Sequence, residues 1–134
     1  MSADDGTDPV ADNEILYRRI PVSTGWYAGG QLSPEAFDPR ADETSGISVY
    51  RGKYKVLGDV AKGRSKKGYF VAEVRAGDLR RHRIEIDPRP EPDDPGHAEL
   101  PGLTCFNRLE SEGQERKLLL ARLFSRVHGP FLPE

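Results

Sequence analysis

Five side chains in this 134-residue chain combine a reactive type with a suggestive setting: His97, Arg18, Arg19, Tyr50 and Arg51. His97 stands in Asp94-Pro95-Gly96-His97-Ala98-Glu99, after a proline-rich stretch and beside carboxylates. Imidazole exchanges its proton near neutral pH, so a histidine on such a constrained loop suits a general base or a nucleotide contact. The plainer alternative is a hydrogen bond to the backbone that fixes the loop. Arg18-Arg19 and Tyr50-Arg51-Gly52 place guanidinium groups at or near strand ends. There, planar donors can grip phosphate or carboxylate through two parallel bonds. Strand alternation turns one of Arg18 and Arg19 inward, and a buried arginine needs a partner. Pairing with Asp or Glu is therefore the simpler expectation. His97, Arg18 and Tyr50 are the candidates for catalysis; Arg18, Arg19, Arg51 and His97 are the candidates for nucleotide or anion binding.

Other chemistries lack their motifs. Neither HExxH nor a serine-bearing nucleophile elbow occurs. The basic loop from Lys62 to Gly68 ends Ser65-Lys66-Lys67-Gly68 and leads into a strand, whereas a phosphate-binding P-loop ends Gly-Lys-Ser/Thr and leads into a helix. Cys105 is the only cysteine, which excludes an intrachain disulfide and a cysteine-based metal cluster within one chain, and Leu103-Thr104-Cys105-Phe106 reads as core packing. No metal is expected, and no cofactor follows from the motifs.

These residues depend on a framework legible in the apolar pattern. Glu14-Ile15-Leu16-Tyr17-Arg18-Arg19-Ile20 reads as a strand closed by Pro21, followed by a loop with Gly25 and Gly29-Gly30 from which Trp26 and Tyr27 fold back onto the core. Ser33-Pro34-Glu35-Ala36-Phe37 reads as one helical turn, with Ser33 as cap and Pro34 at the first position. Ile47–Arg51 alternates as a second strand, and Tyr54, Leu57, Val60 and Ala61 give a weak helix interrupted by Gly58. Tyr69–Arg75 has a near-continuous apolar start, which suggests a central strand buried on both faces. A short helix at Asp78–Arg81, a strand at Arg83–Ile86, a four-proline surface connector over 87–96 and a brief strand or turn at His97–Leu100 follow. Leu120, Leu123, Phe124 and Val127 make one face of a helix running from Gln114 to Val127 and ended by Gly129-Pro130. The expectation is an α+β fold: a small mixed sheet of four to five strands, short helices, and one C-terminal amphipathic helix packed on it. One domain over 14–128 lies between an acidic mobile tail at 1–13 and a short extension at 129–134.

Composition narrows the setting. The formal net charge is -2, so there is little overall pull toward nucleic acid or membrane. The distribution is nevertheless uneven, with Lys62, Arg64, Lys66, Lys67, Arg75, Arg80, Arg81 and Arg83 facing only Glu73 and Asp78 in that segment. Lys62, Arg64, Lys66, Lys67, Arg80 and Arg81, with Arg116, Lys117, Arg122 and Arg126, could form a sequence-independent RNA or DNA surface; a solvated charged face is the simpler expectation. The acidic start of the chain is the reverse of a signal or transit peptide, and no apolar run approaches the roughly 20 residues that cross a bilayer. A cytoplasmic protein without a membrane segment is expected.

The blocks Leu16-Tyr17-Arg18-Arg19-Ile20, Ser33–Phe37, Ile47–Arg51, Val71–Asp78 and Asp94–Leu100, in that order, resemble a family of short bacterial proteins of uncharacterised activity over about residues 14 to 127. Leu16-Tyr17-Arg18 and the segment from Val71 to Leu79 are also similar to ADP-ribosyltransferase-like folds, including the RES-type toxins that consume NAD. That similarity implies NAD as a ligand, with Arg18 or Arg19, Tyr50 and His97 meeting at a nucleotide; Glu73, Glu85 and Glu99 are equal candidates for its catalytic glutamate. The first expectation is instead a non-catalytic interaction or accessory module of a bacterial system, immunity- or antitoxin-like, whose partner is another protein. An ADP-ribosyltransferase-like nucleotide-binding protein and a nucleic-acid-binding protein are the alternatives.

Overall fold

Leu16, Arg18 and Ile20 are buried and their neighbours half-buried, the period of two that makes Ile15–Pro21 a strand, β1. A computed structural model describes residues 5–62 and 67–133 of the chain. After β1 come β2 (Tyr27–Ala28), β3 (Gln31–Leu32), β4 (Ile47–Arg51), α1 (Leu57–Lys62), β5 (Tyr69–Arg75), α2 (Ala76–Arg81), β6 (Asp87–Pro88), β7 (His97–Leu100), α3 (Ser111–Leu123) and β8 (Arg126–Phe131). The fold is α+β. Six strands form one sheet in the order β6-β7-β4-β1-β5-β8, and β2 and β3 form a separate hairpin. Every pairing is antiparallel, so the sheet is not mixed, and it is larger than the sequence suggests.

The additional strands come from segments with weak local signals. Gly29 and Gly30 both have positive φ (59° and 76°), the conformation a tight two-residue hairpin turn requires, and they fold β2 onto β3. Trp26 packs against the core and Tyr27 meets Phe70 edge-on at 5.0 Å. Arg83–Ile86 is not a strand. Arg83 takes a φ of 60°, the chain turns there, and pairing begins only at Asp87–Pro88, inside the stretch read as connector. The C-terminal helix stops at Leu123, and Val127, read as its last inward residue, pairs with Ala72 of β5 in β8. Pro88 and Pro130 thus lie in the two edge strands, where a missing N–H leaves no ladder bond unmade and discourages pairing with another chain. Tyr69–Arg75 is buried on both faces as expected, but it lies between β1 and β8; β4 and β1 hold the centre.

The two faces of the sheet are covered differently. One carries the main core, in which Leu16, Ile20, Ile47, Val49, Ala72 and Val74 meet Leu79, Phe37, Leu120 and Phe124. The capped turn at Pro34–Phe37, a 3-10 turn in which Ser33 Oγ accepts from Glu35 N–H at 3.2 Å, presents Phe37 to Phe124 with ring centroids 5.0 Å apart. Each of those fully buried rings contributes on the order of 1.5–3 kcal/mol of transfer free energy. On the other face, α1 lays Val60 and Ala61 against Val71 of β5.

The acidic segment before Glu14, read as a mobile tail, touches the domain from Gly6 onward. Val10 is buried in the main core, and the Arg80 guanidinium holds Asp12 at 2.7 Å. Arg51 anchors the rest. Its side chain is fully buried; Nη2 lies 3.1 Å from Asp8 and 2.9 Å from Glu14, and Nη1 donates to the Asp8 carbonyl at 2.8 Å. At the other end, residues 126–131, which include much of the expected extension, belong to the sheet. The packed region therefore overruns 14–128 on both sides.

Candidate functional site

Pairing between β1 and β4 stops after Leu16 with Arg51 and Tyr17 with Tyr50. Beyond that point side chains replace the ladder. Arg18 Nη1 donates to the Ser48 carbonyl at 2.9 Å, and the Ser48 N–H donates to Glu43 Oε2 at 2.6 Å. Arg18 Nε donates to the Ala36 carbonyl at 2.9 Å, and Glu43 also accepts the Arg40 N–H at 2.9 Å. Arg18 and Glu43 lie 3.5 Å apart with side chains each only 8% exposed, so the pair is a buried clamp between β1, β4 and the loop before β4. Burial pushes the Arg18 guanidinium down from its ordinary pKa, and the Glu43 charge opposes that shift. Inward arginine and acidic partner thus match the expectation for one residue of the Arg18-Arg19 pair.

The splayed strands open a cavity of about 310 Å³ lined by Arg18, Arg19, Arg40, Ser48, Tyr50 and His97, together with Asp42, Glu43, Glu91 and Glu99. That volume stands at the lower end of the range of about 300–1,000 Å³ for small-molecule sites. Register explains the convergence. Ser48 lies opposite Glu99 and Tyr50 opposite His97, so all four share one face of the β4–β7 pair. The Arg19 guanidinium sits 4.5 Å from the centre of the Tyr50 ring and donates to its hydroxyl, while the Lys55 ammonium approaches the same ring to 4.8 Å. His97 meets Tyr50 edge-on, with centroids 6.2 Å apart. Its Nδ1 lies 2.8 Å from the Arg89 carbonyl and its Nε2 lies 3.0 Å from Ser48 Oγ.

Charge in the cavity is mixed. Arg18 is neutralised by Glu43, and Glu99 has Arg89 at 3.7 Å and the Ser45 hydroxyl at 2.8 Å. Arg19 and Arg40 make no ion pair with a described residue, and Arg40 is exposed. The chemistry on offer is two guanidinium donors, a carboxylate acceptor at Asp42, a phenol, and a serine beside an imidazole.

Four of the five singled-out residues, Arg18, Arg19, Tyr50 and His97, therefore meet at one cavity. Arg51 does not. It alternates to the opposite face and is consumed by Asp8 and Glu14. Ser48, Arg40 and Glu43 are site residues that sequence reasoning passed over. The alternation of Ile47-Ser48-Val49-Tyr50 places Ser48 beside Tyr50, but the pairing of β4 with β7 is needed to bring His97 to it. Of the other glutamates weighed for catalysis, Glu73 holds His128 at 2.9 Å on β5, and Glu85 does not line the cavity. Cys105 is half-buried rather than buried, its N–H donating to the Glu43 carbonyl at 3.0 Å.

The described basic residues of this segment do not form one patch. Arg64 and Lys66 fall outside the described residues. Lys62 and Lys67 stand before β5 and Arg80 and Arg81 after it, so a strand of seven residues, about 20 Å long, separates the two groups. Lys62 faces Asp59 at 3.8 Å, Arg80 faces Asp12 at 2.7 Å and Arg81 faces Asp78 at 3.7 Å. Of the basic residues toward the C-terminus, Lys117 is buried against Asp38 at 3.2 Å and Arg126 lies 3.7 Å from Glu73.

These features define a class, a small α+β domain with a polar cavity at a splayed strand pair. Comparison with known proteins takes the description no further: no family model, no curated protein and no solved structure matches the chain. No helix among the described residues is long and apolar enough to cross a membrane. No group of three or more His, Cys, Asp or Glu side chains among them could hold a metal ion.

Proposed function

We propose that the protein binds a small ligand of about mononucleotide size in this cavity, one that carries a phosphate or carboxylate together with hydroxyl or amine groups. The observation that carries this reading is the convergence of Arg19, Arg40, Tyr50 and His97, from four separate stretches of chain, on one cavity. Arg19 and Arg40 supply charged donors for the anionic group, and Asp42 supplies an acceptor for hydroxyls or an amine. An ADP-ribosyltransferase-like protein would present its NAD here, with only part of the dinucleotide enclosed at about 310 Å³. The test is calorimetric titration with AMP, ADP-ribose and NAD. Binding is expected for at least one of them, and Arg40→Ala is expected to weaken it about 10- to 100-fold, the effect of one hydrogen bond to a charged group. Arg122→Ala, on the exposed side of α3, is the control that should change nothing. Absence of heat with all three compounds overturns the reading, and nicotinamide release from NAD would specify its enzymatic form.

A second reading, a non-catalytic accessory module that docks a protein partner, is favoured by Phe106 and Leu109, which are 78% and 70% exposed just before α3. Large apolar side chains this exposed suit a partner surface. Phe106→Ser with Leu109→Ser is expected to abolish co-elution with a partner drawn from neighbouring gene products while leaving AMP titration unchanged. Co-elution that survives both substitutions removes this reading.

A further inference from the structure

The Ser48–His97 contact has a directional logic. A carbonyl oxygen can only accept, so the 2.8 Å contact from His97 Nδ1 to the Arg89 carbonyl places the ring hydrogen on Nδ1. A neutral ring then turns the bare lone pair of Nε2 toward Ser48 Oγ, 3.0 Å away, and the serine hydroxyl donates to it. The orienting carbonyl is itself fixed, because Arg89 N–H donates to the His97 carbonyl at 3.1 Å where the β6–β7 pairing continues. A nucleophile, a base in hydrogen-bond reach of it, and a third group that holds the base in the correct tautomer make the arrangement of an activated serine.

Ser48 is held as firmly as its base. Its N–H is taken by Glu43 and its carbonyl by Arg18, members of the buried clamp, so the backbone on both sides of the hydroxyl is fixed. The hydroxyl itself opens on the cavity, where Arg19 and Arg40 offer donors to charge that develops on a substrate oxygen. Ser48 and His97 are both half-buried.

We propose that Ser48 and His97 are a nucleophile and general base that hydrolyse carboxylic esters carrying an anionic group. The ester chemistry stands on the dyad alone; the anionic preference rests on the ligand-binding reading above. Ser48 Oγ attacks the acyl carbon and its proton passes to His97 Nε2. The bond from acyl carbon to the alkoxy oxygen then breaks, and Nε2 returns the proton to the departing alcohol. Water attacks the acyl-serine, gives a proton to Nε2, and the proton returns to Ser48 Oγ as the carboxylic acid leaves.

The test uses the full chain and three probes. A fluorophosphonate, followed by intact mass and peptide mapping, is expected to label Ser48 alone, with no adduct in Ser48→Ala or His97→Ala. Release of p-nitrophenolate from mono-p-nitrophenyl succinate is expected to fall at least about 100-fold in either variant, the contribution of a positioned base being about 10²–10⁴-fold. The succinate ester should exceed p-nitrophenyl butyrate about tenfold or more in kcat/KM, a preference that Arg40→Ala removes. Circular dichroism establishes that each variant is folded. Should His97→Ala unfold, Ser48→Cys supplies the readout: its thiol should react with iodoacetamide at least about tenfold faster than Cys105 in the same chain. No adduct on Ser48 of the folded wild type, or labelling that persists in Ser48→Ala, overturns the dyad even if AMP binds. Labelling of Ser48 without any preference for the succinate ester keeps the dyad and overturns the anionic substrate.

Discussion

Arg51→Ala should lower the stability of the folded chain by about 3–5 kcal/mol, the usual effect of removing one partner from a buried, hydrogen-bonded ion pair. Native domains are stable by only about 5–15 kcal/mol, so this is a large fraction of the total. Arg51 is fully buried and holds Glu14 at 2.9 Å, Asp8 at 3.1 Å and the Asp8 carbonyl at 2.8 Å. Burial works against its charge, but the hydrogen bonds and charges of Glu14 and Asp8 outweigh burial and raise its pKa. Removal leaves the Glu14 carboxylate and the Asp8 carbonyl without this donor, while the Asp8 carboxylate keeps Lys53 and the Tyr54 hydroxyl. Arg51→Lys should not restore the loss, because a single ammonium cannot reproduce a planar fork that serves two carboxylates at once. Urea unfolding measures the change in stability, and protease cleavage between Asp5 and Asn13 measures release of the segment. A loss under about 1 kcal/mol, with the segment still protected, would show that Arg51 does not anchor it.

The same network makes the segment sensitive to acid. Hydrogen bonds from Lys53, from the Tyr54 hydroxyl and from Arg51 hold the Asp8 carboxyl well below its ordinary 3.8, against the effect of burial. A carboxyl whose pKa falls on folding stabilises the folded state above its unfolded value, and that contribution fades as the pH drops below 3.8. Protease release of the segment should therefore increase from about pH 4 downward, and Asp8→Asn should show it already at neutral pH.

Arg18→Ala and Glu43→Ala should each cost about 3–5 kcal/mol, and the double variant should cost less than their sum by about 0.5–3 kcal/mol. The clamp carries backbone hydrogen bonds as well as charge. Without Arg18 the carbonyls of Ala36 and Ser48 lose their donor, and without Glu43 the N–H groups of Ser48 and Arg40 lose their acceptor. The Ser48 groups sit where β1 and β4 have ceased to pair, so β1 supplies them no ladder bond. The single variants leave one charge buried alone, whereas the double variant leaves none, and this is the origin of the coupling. Additive losses in a urea double-mutant cycle would mean that the two side chains act independently.

Local signals in the chain carried the expectations that held. The alternation of β1 and β4, the apolar run of β5 and the Ser33-Pro34 cap each depend on contacts within a few residues, and each appears where its pattern lies. Segments whose structure depends on a distant partner were misread. Val127 continues a helical spacing, yet the edge of β5 recruits it into β8. Asp87-Pro88 reads as connector because proline removes a donor, and an edge strand is the one place in a sheet where that donor is not needed. Asp8, Val10 and Asp12 have no periodicity of their own and are ordered by Arg51, the core and Arg80.

The candidate site divides along the same line. Sequence by itself determined the inventory: an α+β chain, an arginine pair with one member turned inward, a tyrosine at the end of a strand and a histidine after a proline-rich stretch. Only the tertiary structure decided which of these meet. Antiparallel pairing of β4 with β7 sets Ser48 and Tyr50 beside His97 across nearly fifty residues of chain, and alternation sends Arg51, next to Tyr50, to the opposite face. Residue type is a property of one position, whereas a hydrogen-bonded pair such as Ser48 and His97 is a property of register, and register is set by the burial of two faces and the closure of the whole sheet.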